Sequence, residues 1–303
     1  MTNLTNPIFT DETKAREYFE ALHWPNGPVC PHCGETEKVY RLNGQSHRPG
    51  LVHCNGCNEA FTVTVGTVME SSHIPLHKWA LGFRLMASSK KGISAHQLHR
   101  SLGIGYKAAW FMAHRIREAM PPASDAPKLG GGGKTVEADE TAITNSRKTK
   151  RGPGRKKPKM HVLSLIERDG RTLSMPLDEG TVRRALYRHI DEASRLVTDK
   201  AQHYMFPPMA KHESVDHSKG EYVRGDVHTN TAEGYFSLFK RGLIGTYQHI
   251  GEQHLPRYLA EFDFRQNNRV RLGVDDEMRT ARAVKGAKGK RLTYQQSDET
   301  GLA

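Results

Sequence analysis

Thr135-Val-Glu-Ala-Asp-Glu-Thr-Ala-Ile143 is the stretch on which the fold of this chain turns. Its β-branched and apolar residues predict a strand. Asp139 stands inside a segment that should be half buried, where a carboxylate is costly unless it is paired or bound to metal. It is therefore a candidate ligand. Glu137 lies on the same face by the two-residue period of a strand and Glu140 on the opposite one, and both stay open as alternatives.

Downstream, residues 160–166 read as a second strand, Asp169-Gly170 as a hairpin turn and residues 171–176 as the returning strand. Residues 182–193 carry helical spacing, with Leu186, Ile190 and Ala193 inward. Arg195-Leu-Val-Thr-Asp199 is a short apolar strand that ends on an aspartate. Three strands, a helix and a fourth strand, with acids on the first and fourth, is the order of an RNase H-like fold. There the first and fourth strands lie side by side and parallel, so Asp139 and Asp199 can approach the same ions.

A third carboxylate is available from Val227-His-Thr-Asn-Thr-Ala-Glu-Gly-Tyr-Phe-Ser-Leu-Phe-Lys-Arg241. Thr229 or Asn230 can cap a helix here, and Asn230 followed by Glu233 gives a capping-box-like start. Glu233, Ser237 and Lys240 fall on one face at i, i+4 and i+7. Tyr235, Leu238 and Phe239 take another, and Gly242 is expected to stop the run. Taken alone, Glu233 as a cap and Lys240 as a solvated lysine is the simpler account. The two aspartates on neighbouring strands reverse it.

The trio Asp139, Asp199 and Glu233, with Lys240 seven residues after the glutamate, resembles the DDE transposases of bacterial insertion sequences. The string from His228 to Gly242 resembles the signature of the branch that begins with a zinc ribbon. Residues 136–141, Thr198-Asp199 and residues 262–269 match the same family at matching places. The resemblance covers roughly residues 10–270 and implies an RNase H-like catalytic domain over 135–270. It implies two Mg2+ (or Mn2+) ions held by Asp139, Asp199 and Glu233, and metal-dependent cleavage and joining of double-stranded DNA at element ends and target. Members of the branch can carry Asn as the third ligand, so Asn230 stands beside Glu233, with Glu221 and Asp226 as weaker competitors. Lys200 departs from the pattern, because a small or acidic residue would sit more comfortably beside metal. Lys240 and Arg241 would hold phosphate oxygens, and His228 would orient a ligand or serve as a structural histidine. Joining two ends implies a homo-oligomer in the synaptic complex. A metal-dependent nuclease of the same fold, or a DNA-binding regulator with an inactive C-terminal domain, are the rival readings.

Toward the N-terminus, Thr10 and Asp11 precede a helix with Ala15, Tyr18, Phe19 and Leu22 inward, ended by residues 24–28. Cys30-Pro-His-Cys33 and Cys54-Asn-Gly-Cys57 then read as a four-cysteine zinc ribbon, a closed structural Zn2+ site within residues 1–70. His23, His32 and His53 are bystanders, since four sulfurs suffice. Residues 60–65 alternate like a ribbon strand. In residues 71–120, Leu76, Trp79, Ala80, Phe83, Met86 and Ala87 make a helical stripe. A short helix with Leu98 and Leu102 follows, then the turn Gly103-Ile104-Gly105. The next helix has Ala109, Met112, Ala113 and Ile116 inward and is expected to show Lys107, His114, Arg115 and Arg117, which fits a DNA-binding helix-turn-helix.

Residues 121–134, with four consecutive glycines, read as a flexible linker. Residues 146–159 hold eight Lys or Arg, among them Lys150, Arg151, Arg155, Lys156 and Lys157, interrupted by Gly and Pro. That composition predicts a basic, phosphate-contacting loop. Residues 271–303 are expected to form a basic, largely disordered tail. The fold class is thus multi-domain α+β: ribbon and helix-turn-helix, then an α/β domain. Length allows about two or three domains. Lys plus Arg outnumber Asp plus Glu by 45 to 33, which favours a polyanionic partner. No apolar run approaches the ~18 residues of a membrane span and no signal-peptide core is present, so a cytoplasmic, nucleoid-associated protein is expected.

Overall fold

The computed structural model describes residues 4–122, 125–144, 159–177, 181–200, 204, 209 and 211–293. In chain order its helices are α1 (Glu12–His23), α2 (Leu76–Ser88), α3 (Ala95–Leu102), α4 (Tyr106–Ala119), α5 (Thr181–His189), α6 (Asn230–Gly242), α7 (Leu255–Asn267) and α8 (Asp276–Lys285). The strands are β1 (Val39–Arg41), β2 (Val52–Cys54), β3 (Glu59–Phe61), β4 (Thr135–Thr144), β5 (Lys159–Glu167), β6 (Thr172–Pro176), β7 (Arg195–Asp199) and β8 (Lys211–Val215). They divide into two compact units, one built from residues 1–88, 95–120 and 276–303, the other from 89–94 and 121–275.

In the first unit, Asp11 caps α1 by accepting from Lys14 N at 2.8 Å, and Ala15 and Phe19 are buried. The ribbon is an antiparallel sheet in the order β1-β2-β3. Its last strand stops at Phe61 instead of running on to Val65. Val65 N turns back to Thr62 O at 3.0 Å and the hydroxyls of Thr62 and Thr64 pair at 2.9 Å, a local alternative that threonines offer to a strand ladder. Trp79, Phe83 and Met86 of α2, Leu98 of α3 and Met112 and Ile116 of α4 are all buried, and the three helices pack on one another.

Two expectations fail in this unit. Arg115 and Arg117 are buried, as is His114, and only Lys107 of the four is exposed. Arg115 donates to the Glu70 carbonyl at 2.9 Å and lies 4.7 Å over the Phe111 ring, so an acceptor and an aromatic face have drawn the side chain inward. The C-terminal residues, expected to lack structure, include α8, with Thr280, Ala283, Val284 and Ala287 buried on a stripe of small side chains. Gly286 comes so near α4 that a Cβ there would stand 2.2 Å from the Ala119 carbonyl oxygen. A stripe of Thr, Ala and Val gives a weak hydrophobic signal, and close backbone packing makes it sufficient.

The second unit holds a five-stranded sheet in the order β6-β5-β4-β7-β8. β4 pairs antiparallel with β5 and parallel with β7, and β7 pairs parallel with β8. Val136 and Ala138 face α5 with Leu186 and Ile190, while Ile143 packs with Tyr235 and Phe239 of α6 and Phe262 of α7. The alternation of a strand therefore turns Glu137 and Asp139 toward the α6 side. β8 has no counterpart in the sequence reading. α5 ends at His189, and Ala193, expected inward, is exposed in the turn before β7. The glycine-rich segment is ordered where described: Leu129 exchanges backbone bonds with His189 and Asp191, and Gly130 N donates to Glu167 at 3.1 Å. No helix is long and apolar enough to cross a membrane among the described residues.

Candidate active site

The last β4–β7 pair in register is Ala138 with Thr198, so Asp139 and Asp199 each stand one residue beyond it on adjacent parallel strands. Asp139 is half buried. Burial first, and then the charges of Asp199, Glu233 and Glu140, raise its carboxyl to about 6 against a bond donated by Glu140 N. The three acids singled out from the sequence thus share one electrostatic neighbourhood. Their repulsion is what a divalent cation cancels, and an all-oxygen set suits a hard ion such as Mg2+. They do not close as tightly as thiolates around zinc. Among the described residues, the four cysteines are the one group of three or more ligating side chains whose donor atoms lie within 4.8 Å of one another.

Of the competing candidates, Asp226 and Glu221 are engaged elsewhere. Asp226 receives the Arg195 guanidinium, whose hydrogen bonds hold its carboxyl down near about 2. Glu221 accepts from Asp216 N and pairs with Arg224. Glu140 shares the Asp139 neighbourhood through its charge. Lys200, the awkward neighbour of Asp199, reaches Asp216 at 3.3 Å. Asn230 is the first residue of α6, exposed, and its N–H points to His228 Nδ1 at 3.4 Å. Glu233 and Lys240 are exposed on α6, and Arg241 donates to Ser237 O at 3.1 Å. Lys150, Arg151, Arg155, Lys156 and Lys157 lie outside the described residues.

The start of α6 departs from the capping-box expectation. Thr229 holds the N-cap position with no side-chain bond, and Glu233 does not reach back to cap. Glu137, on β4, accepts instead from Thr231 N at 2.9 Å and Ala232 N at 3.1 Å. Arg168, which the sequence reading passed over, pairs with Glu137 at 2.7 Å. A lone arginine in a hairpin turn carries no pattern from which this could have been foreseen.

In the ribbon, Cys30 and Cys57 sulfurs stand 3.6 Å apart, as do those of Cys33 and Cys54. A zinc tetrahedron with bonds of ~2.3 Å has edges of about 3.8 Å, so the four thiols fit a structural Zn2+. His23, His32 and His53 stand outside the group.

Residues 128–267 match the family model of the ISXO2-like transposase domain, and residues 10–60 match that of the transposase zinc-ribbon domain. Over these two regions the chain is similar to the zinc-ribbon DDE transposases. The transposase domain spans β4 to α7, and therefore contains all three acids. An uncharacterized protein in transposable element ISH50 of Halobacterium salinarum is 28% identical over 277 residues, covering 85% of this chain and 92% of the relative.

Proposed function

We propose that this protein is a transposase that cleaves DNA at the ends of its insertion sequence and joins those ends to a target, with Asp139, Asp199 and Glu233 holding two Mg2+ or Mn2+ ions. The observation that carries the reading is the parallel pairing of β4 with β7, one residue short of both aspartates, with the Glu233 charge felt at Asp139. The strand order supports an RNase H-like domain. Bound metal would supply Lewis-acid activation of the attacking oxygen and stabilisation of the leaving one. The chain's own part is to keep three carboxylates converged on a half-buried strand end and to present Lys240 and Arg241 to phosphate oxygens. In joining, the terminal 3'-hydroxyl bonds to a target phosphorus, that phosphorus releases the target's 3'-oxygen, and the hydroxyl proton passes to solvent. Helices α3 and α4 around Gly103-Ile104-Gly105 serve as a helix-turn-helix, with exposed Lys107 on α4 rather than the buried arginines available to DNA. The protein acts as an oligomer on two ends, at the nucleoid.

Asp139→Ala and Asp199→Ala are expected to abolish joining of terminal-repeat DNA in Mg2+ while end binding persists. Glu233→Gln should lose activity with them and Asn230→Ala should keep most of it. Products resolved on denaturing gels decide the matter. Full joining by either aspartate mutant overturns the assignment, hydrolysis without joining by wild type favours the nuclease, and binding without cleavage favours the regulator.

A further inference from the structure

Glu137 is completely buried, and a carboxylate so placed requires fixed charges and donors around it. It has them from two directions. From the turn between β5 and β6, Arg168 Nε donates to Oε1 at 2.7 Å. From the first turn of α6, Thr231 N and Ala232 N donate to Oε2 at 2.9 and 3.1 Å, and the Thr231 hydroxyl donates to Oε1 at 2.9 Å. The carboxylate also lies at the positive end of the helix dipole. The same guanidinium donates to the carbonyls of Asp226 at 2.8 Å and His228 at 2.9 Å, so it holds the segment that leads into α6 as well.

We infer that Glu137 and Arg168 form a positioning clamp that fixes Glu233 relative to Asp139 and Asp199 and thereby sets the affinity of the acid site for its divalent cation. The inference rests on the proposed reading of those acids as metal ligands. Glu137 precedes Asp139 by two residues on the same strand face, and Thr231 and Ala232 immediately precede Glu233. Both arms of the site therefore depend on one buried carboxylate. Glu233 itself is exposed and the N-cap residue Thr229 makes no side-chain bond, so the first-turn N–H groups of Thr231 and Ala232 are held by Glu137 instead. Partners that orient ligands in this way typically affect metal affinity or activity by about 10–100-fold.

The test is Mn2+ titration of the full-length protein without DNA, read by electron paramagnetic resonance, beside thermal unfolding. Glu137→Gln keeps the side-chain shape but turns an amide N–H toward donors. Arg168→Lys keeps the charge but cannot reach Glu137, Asp226 and His228 together. Arg168 is 21% exposed, so its variant serves if Glu137→Gln fails to fold. Both are expected to unfold cooperatively, to bind Mn2+ about 10–100-fold more weakly, and to recover joining activity as Mn2+ is raised, a rescue that a merely structural defect would not show. Wild-type affinity in folded variants overturns the clamp and leaves the reading of the acid site standing. Failure of the wild type itself to bind Mn2+ overturns that reading, and the clamp's purpose with it.

Discussion

Asp139 is the residue whose environment most constrains the chemistry. Its raised carboxyl pKa comes first from burial and then from neighbouring acids, both of which penalise the ionised form. A cation must displace that proton before it can be held. Mn2+ affinity of the wild-type protein is therefore expected to fall about tenfold for each pH unit below about 6 and to level off above it. Titrations at several pH values check this, and a flat profile between about pH 5 and 7 excludes Asp139 as a ligand. That Asp199 and Glu233 would come near Asp139 was legible at this scale because two strands and one helix each carry an acid in the expected order. Arg168 was not, since its partners lie 31 residues back on β4 and about 58–60 residues ahead in the approach to α6.

At the scale of the element, α6 is held by more than its apolar face. Tyr235 donates to Asp263 Oδ1 of α7 at 2.6 Å, and Ser174 of β6 donates to the same carboxylate through its backbone N–H and its hydroxyl. Burial raises the Asp263 carboxyl to about 6 against those bonds. Gly242 does not stop the helix as its sequence position suggests. The chain continues helically into a π turn over Leu243–Tyr247, and the reversal comes at Gln248, with φ of 56°. Glycine stands at 242 because a Cβ there would meet Phe262 Cζ at 2.5 Å and the Lys91 carbonyl at 2.8 Å. Gly242→Ala should therefore cost about 1–3 kcal/mol, as overpacked sites do, seen as a lowered midpoint in thermal unfolding. An unchanged midpoint means the contact relaxes freely.

At the scale of the whole molecule, the two units draw on different sources of stability. The sheet unit has helices on both faces, whereas the ribbon has three strands of three residues each and a core of Cys30, Val52, Cys54 and Phe61. So small a core depends on its metal, worth roughly 10–16 kcal/mol of apparent binding free energy in zinc-folded peptides. A chromogenic chelator is expected to release one zinc per chain, with loss of hydrogen-exchange protection at Val52 and Cys54 and its retention at Leu163 and Leu165. Protection that survives chelation at β2 shows a ribbon that folds without zinc.

The four-thiol ligand set and the order of the first four strands of the sheet were determined by the sequence, because their signals are local: thiols at two-residue spacing and strand segments of distinct periodicity. Tertiary structure decided what depends on neighbours distant in sequence. It drew Arg115 and Arg117 inward, gave the C-terminal segment a helix on small residues, and assigned the cap of α6 to Glu137. The physical reason is the same in each case. A charge or a weakly apolar stripe has no fixed preference until its surroundings supply a partner or a surface, and only folding brings that partner near.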